Sequence, residues 1–259
     1  MTDSQQQTTP ANMWQPLVDP DMPRIQGTLQ EQVGKKYRHR LVDVETGEVI
    51  PLCGKDGIGS ALEEPMIKAV HSKLPSFVKN PKTQEYPDAF NKPRTSATSQ
   101  FDKYSHERHC HEFKAFGESS CAFDISKVKV LIDDVSKPGG LERRLNGNYH
   151  IFNYEINDDE ITIKAYYSKR IWEIVAYDGK YPLTLQAKKP GKGEKKDEVQ
   201  IWENFRPCAP SKWNDTSKTP TKFVDGLIEC VRRWPQVGSD ERKDEIVKSI
   251  QTQRTALGI

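Results

Sequence analysis

The stretch Tyr149–Ile156 (YHIFNYEI), the turn Asn157-Asp158-Asp159 and the stretch Glu160–Tyr167 (EITIKAYY) decide the fold prediction. Both flanking stretches are rich in the β-branched and aromatic residues that favour strands. Asn and Asp are typical turn residues because their side chains bond to nearby backbone groups. The pattern predicts two antiparallel strands joined by a short turn.

Further stretches of strand character surround this pair, and the dipeptide Asp178-Gly179 between two of them favours a tight hairpin turn. These stretches are Cys121–Asp133, Arg170–Tyr177, Tyr181–Lys189 and Val199–Phe205. Strands followed by helices, without alternation of the two, indicate the α+β class. We therefore predict a β-rich α+β protein with an antiparallel sheet or sandwich core over about residues 121–205.

Composition divides the chain into three regions. Residues 1–30 are rich in Gln, Thr, Pro and Asp, which predicts an extended N-terminal arm. Residues 31–100 combine a small hairpin and a short helix with a Pro-rich connection. Residues 101–259 hold the antiparallel β core and two C-terminal helices, whose apolar residues recur at helical spacing over Thr221–Trp234 and Ser239–Leu257.

Composition also limits the class of protein. The 259-residue chain carries 39 Lys and Arg against 37 Asp and Glu, a net charge of +2, which excludes a dedicated nucleic-acid coat protein. No apolar run approaches the roughly 20 residues that span a bilayer, and Met1–Pro20 lacks the regions of a secretory signal. Five scattered cysteines indicate reduced thiols rather than a disulfide framework. We therefore expect an intracellular protein without a membrane partner.

A pattern with catalytic character crosses the Asp178-Gly179 turn. Gln186 and Lys188 are two residues apart on a predicted strand, so their side chains leave the same face, and Asp178 ends the preceding strand. This arrangement resembles the core of the PD-(D/E)xK nuclease superfamily, although Gln186 stands where a carboxylate is usual. The resemblance implies that Asp178 and Gln186 bind Mg²⁺ or Mn²⁺ and that Lys188 is the catalytic lysine. The alternative is a plain hairpin with a solvated outer face.

A second candidate site combines imidazole and thiol groups, which are the ligands that zinc prefers. Its members are His106, His109, His111 and Cys121. Their spacing does not match a standard zinc finger, and no second Cys pair is present. A polar surface segment without a metal is the alternative interpretation.

A third candidate is a basic loop between two predicted strands. Its lysines are Lys188, Lys189, Lys192, Lys195 and Lys196. With the tryptophans that follow it, such a loop suits contact with single-stranded nucleic acid. The alternative is a solvated loop whose charge is diluted by neighbouring acidic residues.

The favoured hypothesis at this point is a non-catalytic, self-assembling or partner-binding β-rich protein, such as a viral structural subunit. It implies a homo-oligomer or a protein partner and needs no cofactor. Two alternatives stay open: a metal-dependent nuclease with the Asp178, Gln186 and Lys188 pattern, and a nucleic-acid-binding protein that uses the loop at residues 188–196.

Overall fold

A computed structural model describes residues 14–38, 40–51, 57–82, 85–91, 108–117, 121–177, 182–187 and 202–259. The strands are β1 (Lys36–Arg38), β2 (Arg40–Val42), β3 (Val49–Pro51), β4 (Phe77–Lys79), β5 (Ala89–Asn91), β6 (His109–Gly117), β7 (Ser126–Lys127), β8 (Asn148–Asn157), β9 (Glu160–Lys169), β10 (Leu185–Ala187) and β11 (Trp202–Phe205). The helices are α1 (Met22–Gln30), α2 (Ile58–Lys73), α3 (Val128–Val135), α4 (Gly140–Asn146), α5 (Ile171–Ile174), α6 (Pro220–Arg233) and α7 (Asp240–Leu257).

The predicted strand pair forms the hairpin β8–β9, in which Tyr149 lies opposite Lys169 and Asn157 lies opposite Glu160. Asp158, in the turn, adopts a φ of 56°. This is the left-handed region, which Asp tolerates better than most residues because its short polar side chain bonds locally. The hairpin and its turn are therefore confirmed.

The central sheet has the strand order β1-β9-β8-β6-β5-β4. Strands β6 and β8 run parallel, while the other neighbours are antiparallel. A parallel pair needs a long crossover, and here β7, α3 and α4 lie between the two strands in the chain. The α+β class is confirmed, but the prediction of an antiparallel sheet or sandwich over residues 121–205 is wrong. The sheet is mixed, and its strands lie between Lys36 and Lys169.

Two stretches predicted as strands contain helices instead. Only Ser126–Lys127 of the stretch Cys121–Asp133 is a strand, and helix α3 follows it directly. The buried residues of α3 recur at helical spacing, which a short apolar run does not distinguish from strand alternation. The stretch Arg170–Tyr177 contains the short helix α5, which buries Ile171, Trp172 and Ile174.

A second, smaller sheet has the order β10-β11-β7, and β2 and β3 form a separate hairpin. Strands β10 and β11 fall within the predicted stretches Tyr181–Lys189 and Val199–Phe205. The turn at Asp178-Gly179 lies outside the described residues. Strand β11 pairs with β7 as well as β10, so Asn204 lies directly opposite Lys127.

Helices cover both faces of the central sheet. Helices α1 and α2 pack on one face, where Ile25, Leu29 and Met66 are fully buried against Phe113 and Phe152. Helices α3, α4, α6 and α7 pack on the other face, around residues such as Leu131, Leu145, Leu227, Ile250, Tyr149 and Ile151. The two C-terminal helices are confirmed, and Ser239 caps α7 by accepting a hydrogen bond from the Arg242 backbone N–H.

The N-terminal region is less extended than predicted. Met22–Gln30 forms helix α1, and Trp14 packs edge-on against Trp172 with 6.2 Å between ring centroids. The prediction of an extended arm is therefore wrong for Met22–Gln30, and residues 1–13 lie outside the described part. The division into three regions stays a prediction. Among the helices that the structure describes, none is long and apolar enough to cross a membrane.

Candidate active site

Two carboxylates lie together where β5 begins alongside β6 in the central sheet. Ala89 pairs with His111, so continuing this antiparallel register by one residue sets Asp88 opposite Glu112. Asp88 Oδ2 accepts a hydrogen bond of 2.6 Å from the Phe113 backbone N–H. The backbone of β6 therefore fixes the Asp88 carboxyl group beside Glu112.

A lysine completes this group. Lys114 is two residues after Glu112 on β6, so both side chains leave the same face of the strand. The Lys114 Nζ donates a hydrogen bond of 2.7 Å to Glu112 Oε1, and the two side chains are 21% and 8% exposed. The group is thus a partly buried ammonium between carboxylates at the sheet surface.

The charges in this group change its acid–base behaviour. Burial, followed by the negative charge of Glu112, raises the pKa of Asp88 to about 8. Burial opposes the charge of Lys114, but Glu112 and Asp88 outweigh it and hold the pKa of Lys114 above its ordinary value. Glu63 on α2 faces the same group, and burial raises its pKa, with Glu112 adding to the effect. The site therefore concentrates more negative charge than Lys114 alone balances.

One oxygen of the group has no hydrogen-bond partner in the part of the chain that the structure describes. Glu112 Oε2 is buried and, within the residues that the structure describes, accepts no hydrogen bond. An unpaired buried carboxylate oxygen costs roughly 1–3 kcal/mol or more unless something binds it. A hard divalent cation fits here because Mg²⁺ prefers carboxylate oxygens and is commonly held by one or two of them together with waters and phosphates. Asp88 and Glu112 supply these two carboxylates, and the described residues contain no group of three or more His, Cys, Asp or Glu arranged to hold a metal.

A cavity of about 350 Å³ lies beside Glu112 and Lys114. Its wall includes Tyr86 and Arg144, and the Arg144 guanidinium stacks over the Tyr86 ring with 3.6 Å to the ring centroid. Arg144 Nε also donates a hydrogen bond of 2.6 Å to Asp134 Oδ2, so its buried charge is balanced inside the protein. Ser126, Lys127 and Asn204 also line the cavity.

Only one residue of the nuclease pattern predicted from the sequence, Gln186, is among the residues that the structure describes. Gln186 lies in β10 of the small sheet, where it pairs with Asn204. Asp178 and Lys188 lie outside the described residues, as do all the lysines of the loop at residues 188–196. The catalytic role of Asp178, Gln186 and Lys188 and the nucleic-acid contact of that loop stay predictions.

Two of the predicted zinc ligands, His111 and Cys121, have different neighbours in the structure. His111 is fully buried, and its two ring nitrogens contact Asp19 Oδ2 at 3.0 Å and His150 Nε2 at 2.9 Å. Cys121 lies next to Cys208, whose proximity adds to burial in raising the pKa of the Cys121 thiol. His106 lies outside the described part, so zinc binding by His106, His109, His111 and Cys121 stays a prediction.

The sequence contains a motif that matches the group of Asp88, Glu112 and Lys114. Pro87-Asp88 and Glu112-Phe113-Lys114 have the letters of the PD-(D/E)xK motif, with a carboxylate at every position that needs one. The first half is hidden in a Pro-rich connection, and the second half adjoins the histidines that suggest zinc. Strand β5 is only three residues long, so its alternation gives no usable pattern.

Comparisons with known proteins agree on one class. The model of a family described as NgoBV restriction endonuclease matches residues 28–226. The Type II restriction enzyme NlaIV of Neisseria lactamica is 29% identical over 138 residues, covering 52% of this chain and 51% of that enzyme, so the match spans about half of the curated relative's length. The solved structure of an NlaIV restriction endonuclease matches with a TM-score of 0.63 and 21% identity over 90% of this chain and 89% of that chain, which shows a shared fold.

These findings overturn the favoured hypothesis of the sequence analysis. The prediction of a non-catalytic, self-assembling protein of viral structural type is wrong, because the matching family is one of restriction endonucleases. The family match extends over more than half of the chain and includes Asp88, Glu112 and Lys114. The chain belongs to the NgoBV restriction endonuclease family.

Proposed function

We propose that this protein is a Type II restriction endonuclease that hydrolyses phosphodiester bonds in DNA with the help of Mg²⁺. The observation that carries the proposal is the grouping of Asp88, Glu112 and Lys114 where β5 begins alongside β6, with one Glu112 oxygen unpaired within the described part of the chain. The family match and the printed name of the Neisseria lactamica relative support the substrate class.

In this proposal Asp88 and Glu112 bind the cation, because Mg²⁺ favours anionic oxygen ligands. The cation, when bound, supplies Lewis acidity and lowers the pKa of a bound water. The Phe113 backbone N–H holds the Asp88 carboxyl in position, so that its oxygens need no reorganisation before they bind.

Lys114 has a separate role. Its ammonium group has three N–H donors, and one of them is used by Glu112. The other two can orient the attacking water and donate to a phosphate oxygen whose negative charge grows in the transition state. The bond to Glu112 keeps the ammonium beside that carboxylate, and the charges of Glu112 and Asp88 keep it protonated.

The decisive experiment compares Lys114→Ala with Lys188→Ala in cleavage of plasmid DNA at saturating DNA and Mg²⁺. We expect Lys114→Ala to lower the single-turnover rate by about 10²- to 10⁴-fold, the range for loss of one positioned catalytic group. We expect Lys188→Ala to keep the rate of the unmodified protein. The reverse result would move the active site to Asp178, Gln186 and Lys188.

A matched control accounts for the loss of positive charge. Lys129 is exposed on α3 and is absent from the cavity wall, so Lys129→Ala removes the same charge away from the site. We expect this variant to cleave at the unmodified rate. Absence of cleavage by the unmodified protein, on DNA of varied sequence and with Mg²⁺ or Mn²⁺, would contradict the proposed function. The predicted homo-oligomer stays a prediction.

A further inference from the structure

The cavity beside Glu112 and Lys114 is lined by further polar residues, which the proposed chemistry does not use. Lys127 and Asn204 lie directly opposite each other in the pairing of β7 and β11, and both line the cavity. Helix α3 begins immediately after Lys127, so the start of the helix lies at the same wall. Glu112 and Lys114 line the same cavity, so a ligand in it is next to the Glu112 carboxylate.

The amide of Asn204 is the clearest sign that this wall binds a ligand. Its side chain is 8% exposed, and its Oδ1 has no hydrogen-bond partner among the residues described. Buried amide groups are normally paired, since leaving one unpaired is costly. The oxygen and nitrogen of an amide are interchangeable by rotation, so the unpaired end can present an N–H donor. The amide of Asn204 can therefore bind an anion at this wall.

The start of α3 also favours an anion. The first N–H groups of a helix lack partners within the helix, and the helix dipole adds partial positive charge there. The structure gives α3 no side-chain cap within the part of the chain that it describes. Lys127 adds a full positive charge on an exposed side chain. These features together are the usual components of a phosphate-binding site.

Two acidic residues line the cavity, and Glu112 is the one that binds the cation in the proposed function. Asp124 also lines the cavity, but its Oδ1 accepts a hydrogen bond of 2.6 Å from Arg206 Nη1, so its negative charge is paired. The volume of about 350 Å³ lies within the range of roughly 300–1,000 Å³ that is typical of ligand-binding clefts. It is large enough for a phosphate group with its bridging waters, each of which takes about 30 Å³ in the liquid.

We propose that Lys127, Asn204 and the start of α3 form a second phosphate-binding site, which holds the DNA backbone phosphate next to the cleaved one. The inference rests on the proposed function, because it assigns DNA as the ligand. It adds a contact that fixes the register of the strand in the active site. A phosphate held here limits the movement of the neighbouring phosphodiester bond relative to Asp88 and Lys114.

The test measures binding of a DNA duplex that contains the cleavage site, with Ca²⁺ in place of Mg²⁺. The duplex is checked after the measurement to verify that it has not been cleaved. The variant Lys127→Ala is compared with Lys129→Ala, which removes an equal charge from an exposed side chain that is absent from the cavity wall and leaves the backbone N–H groups of α3 in place. We expect Lys127→Ala to weaken binding roughly tenfold, as for loss of one charged hydrogen bond. The slope of log affinity against log salt should fall by about 0.9 for the lost phosphate contact, and Lys129→Ala should change neither quantity.

Duplexes with a single neutral methylphosphonate locate the contacted phosphate. We expect the neutral group to weaken binding of the unmodified protein at one position, adjacent to the cleaved bond. At that position it should not weaken the binding of Lys127→Ala any further. Asn204→Asp should also weaken binding, since its added negative charge repels phosphate. The variant Glu203→Gln is the control for β11, because Glu203 is exposed on the same strand.

Two results overturn the inference while leaving the proposed function intact. The first is equal binding by Lys127→Ala and Lys129→Ala in a protein whose cleavage depends on Lys114. The second is tighter DNA binding by Asn204→Asp, which would show that Asn204 faces a cation rather than a phosphate. Absence of DNA binding by the unmodified protein would overturn the proposed function and the inference together.

Discussion

Asp88 Oδ2 accepts a 2.6 Å hydrogen bond from the backbone N–H of Phe113, the residue between Glu112 and Lys114. This bond joins the residue before β5 to β6 and holds the Asp88 carboxyl near that of Glu112. It favours the ionised form of Asp88, but burial and the charge of Glu112 have the larger effect and raise its pKa. Without a cation, the site therefore holds a carboxyl group that retains its proton near neutral pH.

The first prediction concerns Asp88→Asn. Because Asp88 has a pKa of about 8 in the folded protein and about 3.9 in an unfolded chain, the folded state retains a proton that the unfolded state releases between these values. Stability of the cation-free protein should therefore fall as pH rises through this window. Asn keeps the acceptor for Phe113 and carries no charge, so Asp88→Asn should abolish cleavage yet raise the melting temperature at pH 8.

The measurement is thermal unfolding in EDTA at pH 5 and pH 8. The difference in melting temperature between Asp88→Asn and the unmodified protein should grow from pH 5 to pH 8. Asp124→Asn is the control, since Asp124 lines the same cavity but is exposed and paired with Arg206. A lower melting temperature for Asp88→Asn at pH 8 would contradict the assigned electrostatics.

The second prediction is that Mg²⁺ binding releases a proton. Asp88 must be ionised to bind the cation, so Mg²⁺ affinity without DNA should rise with pH, by up to about tenfold per unit, until pH approaches about 8. Calorimetric titrations in buffers of different ionisation enthalpy measure the protons released. We expect a released fraction that is large at pH 6.5 and small at pH 9. A pH-independent affinity between pH 6 and pH 8 would exclude Asp88 as a ligand.

The third prediction separates two neighbouring carboxylates on α2. Glu63 is the half-buried one, and its raised pKa reflects burial and the charge of Glu112. Glu64 pairs with Lys79 at 2.5 Å and with Lys68 at 3.4 Å at the surface. We expect Glu63→Gln to raise the Mg²⁺ concentration needed for half-maximal cleavage, since the substitution removes negative charge beside the cation. Glu64→Gln should leave that concentration unchanged, and equal behaviour of the two variants would mean that Glu63 does not act on the site.

The hairpin β8–β9 could be predicted from the sequence because its pairing is local. The residues alternate in character, the turn residues are Asn and Asp, and partners lie within about twenty residues of each other. The partner strand β6 could not be found in this way. It pairs with β8 in parallel, and no local pattern specifies which distant strand completes such a pair.

The proposed active site could not be predicted from the sequence for a related reason. Polar residues occupy both faces of β6, with Glu112 and Lys114 on one face and His111 on the other. This breaks the alternation of apolar and polar residues by which strands are recognised. Such local exceptions are expected at functional sites, where chemistry rather than packing selects the residues. The short strand β5 and the prolines around Asp88 removed the remaining signal.

A chain of buried polar groups lies on the face of β6 opposite the active site. His111 contacts Asp19 and His150, and His150 Nδ1 contacts the Tyr166 hydroxyl at 2.7 Å. Burial lowers the pKa of both His111 and His150 and outweighs the opposite effect of Asp19 on His111. The positive charge of Arg170 adds to the lowering of both values. The two imidazoles are therefore neutral in the folded protein at pH 7, and their bonds join β6 to β8 and to the segment before α1.

The last prediction is that the two buried imidazoles make the folded protein less stable at acidic pH. Below a pH of about 6.5 the unfolded chain binds protons that the buried imidazoles cannot accept, so the free energy of unfolding should fall as pH decreases from 6.5 toward 5. His150→Asn should cost about 1–3 kcal/mol at pH 8, through the lost bonds, and should flatten this dependence. Tyr166→Phe is the matched control, because it removes a bond to His150 but no imidazole. It should lower stability by about 1 kcal/mol at every pH. Urea unfolding at pH 5, 6.5 and 8 distinguishes the two variants, and an unchanged pH dependence in His150→Asn would show that the acid sensitivity arises elsewhere.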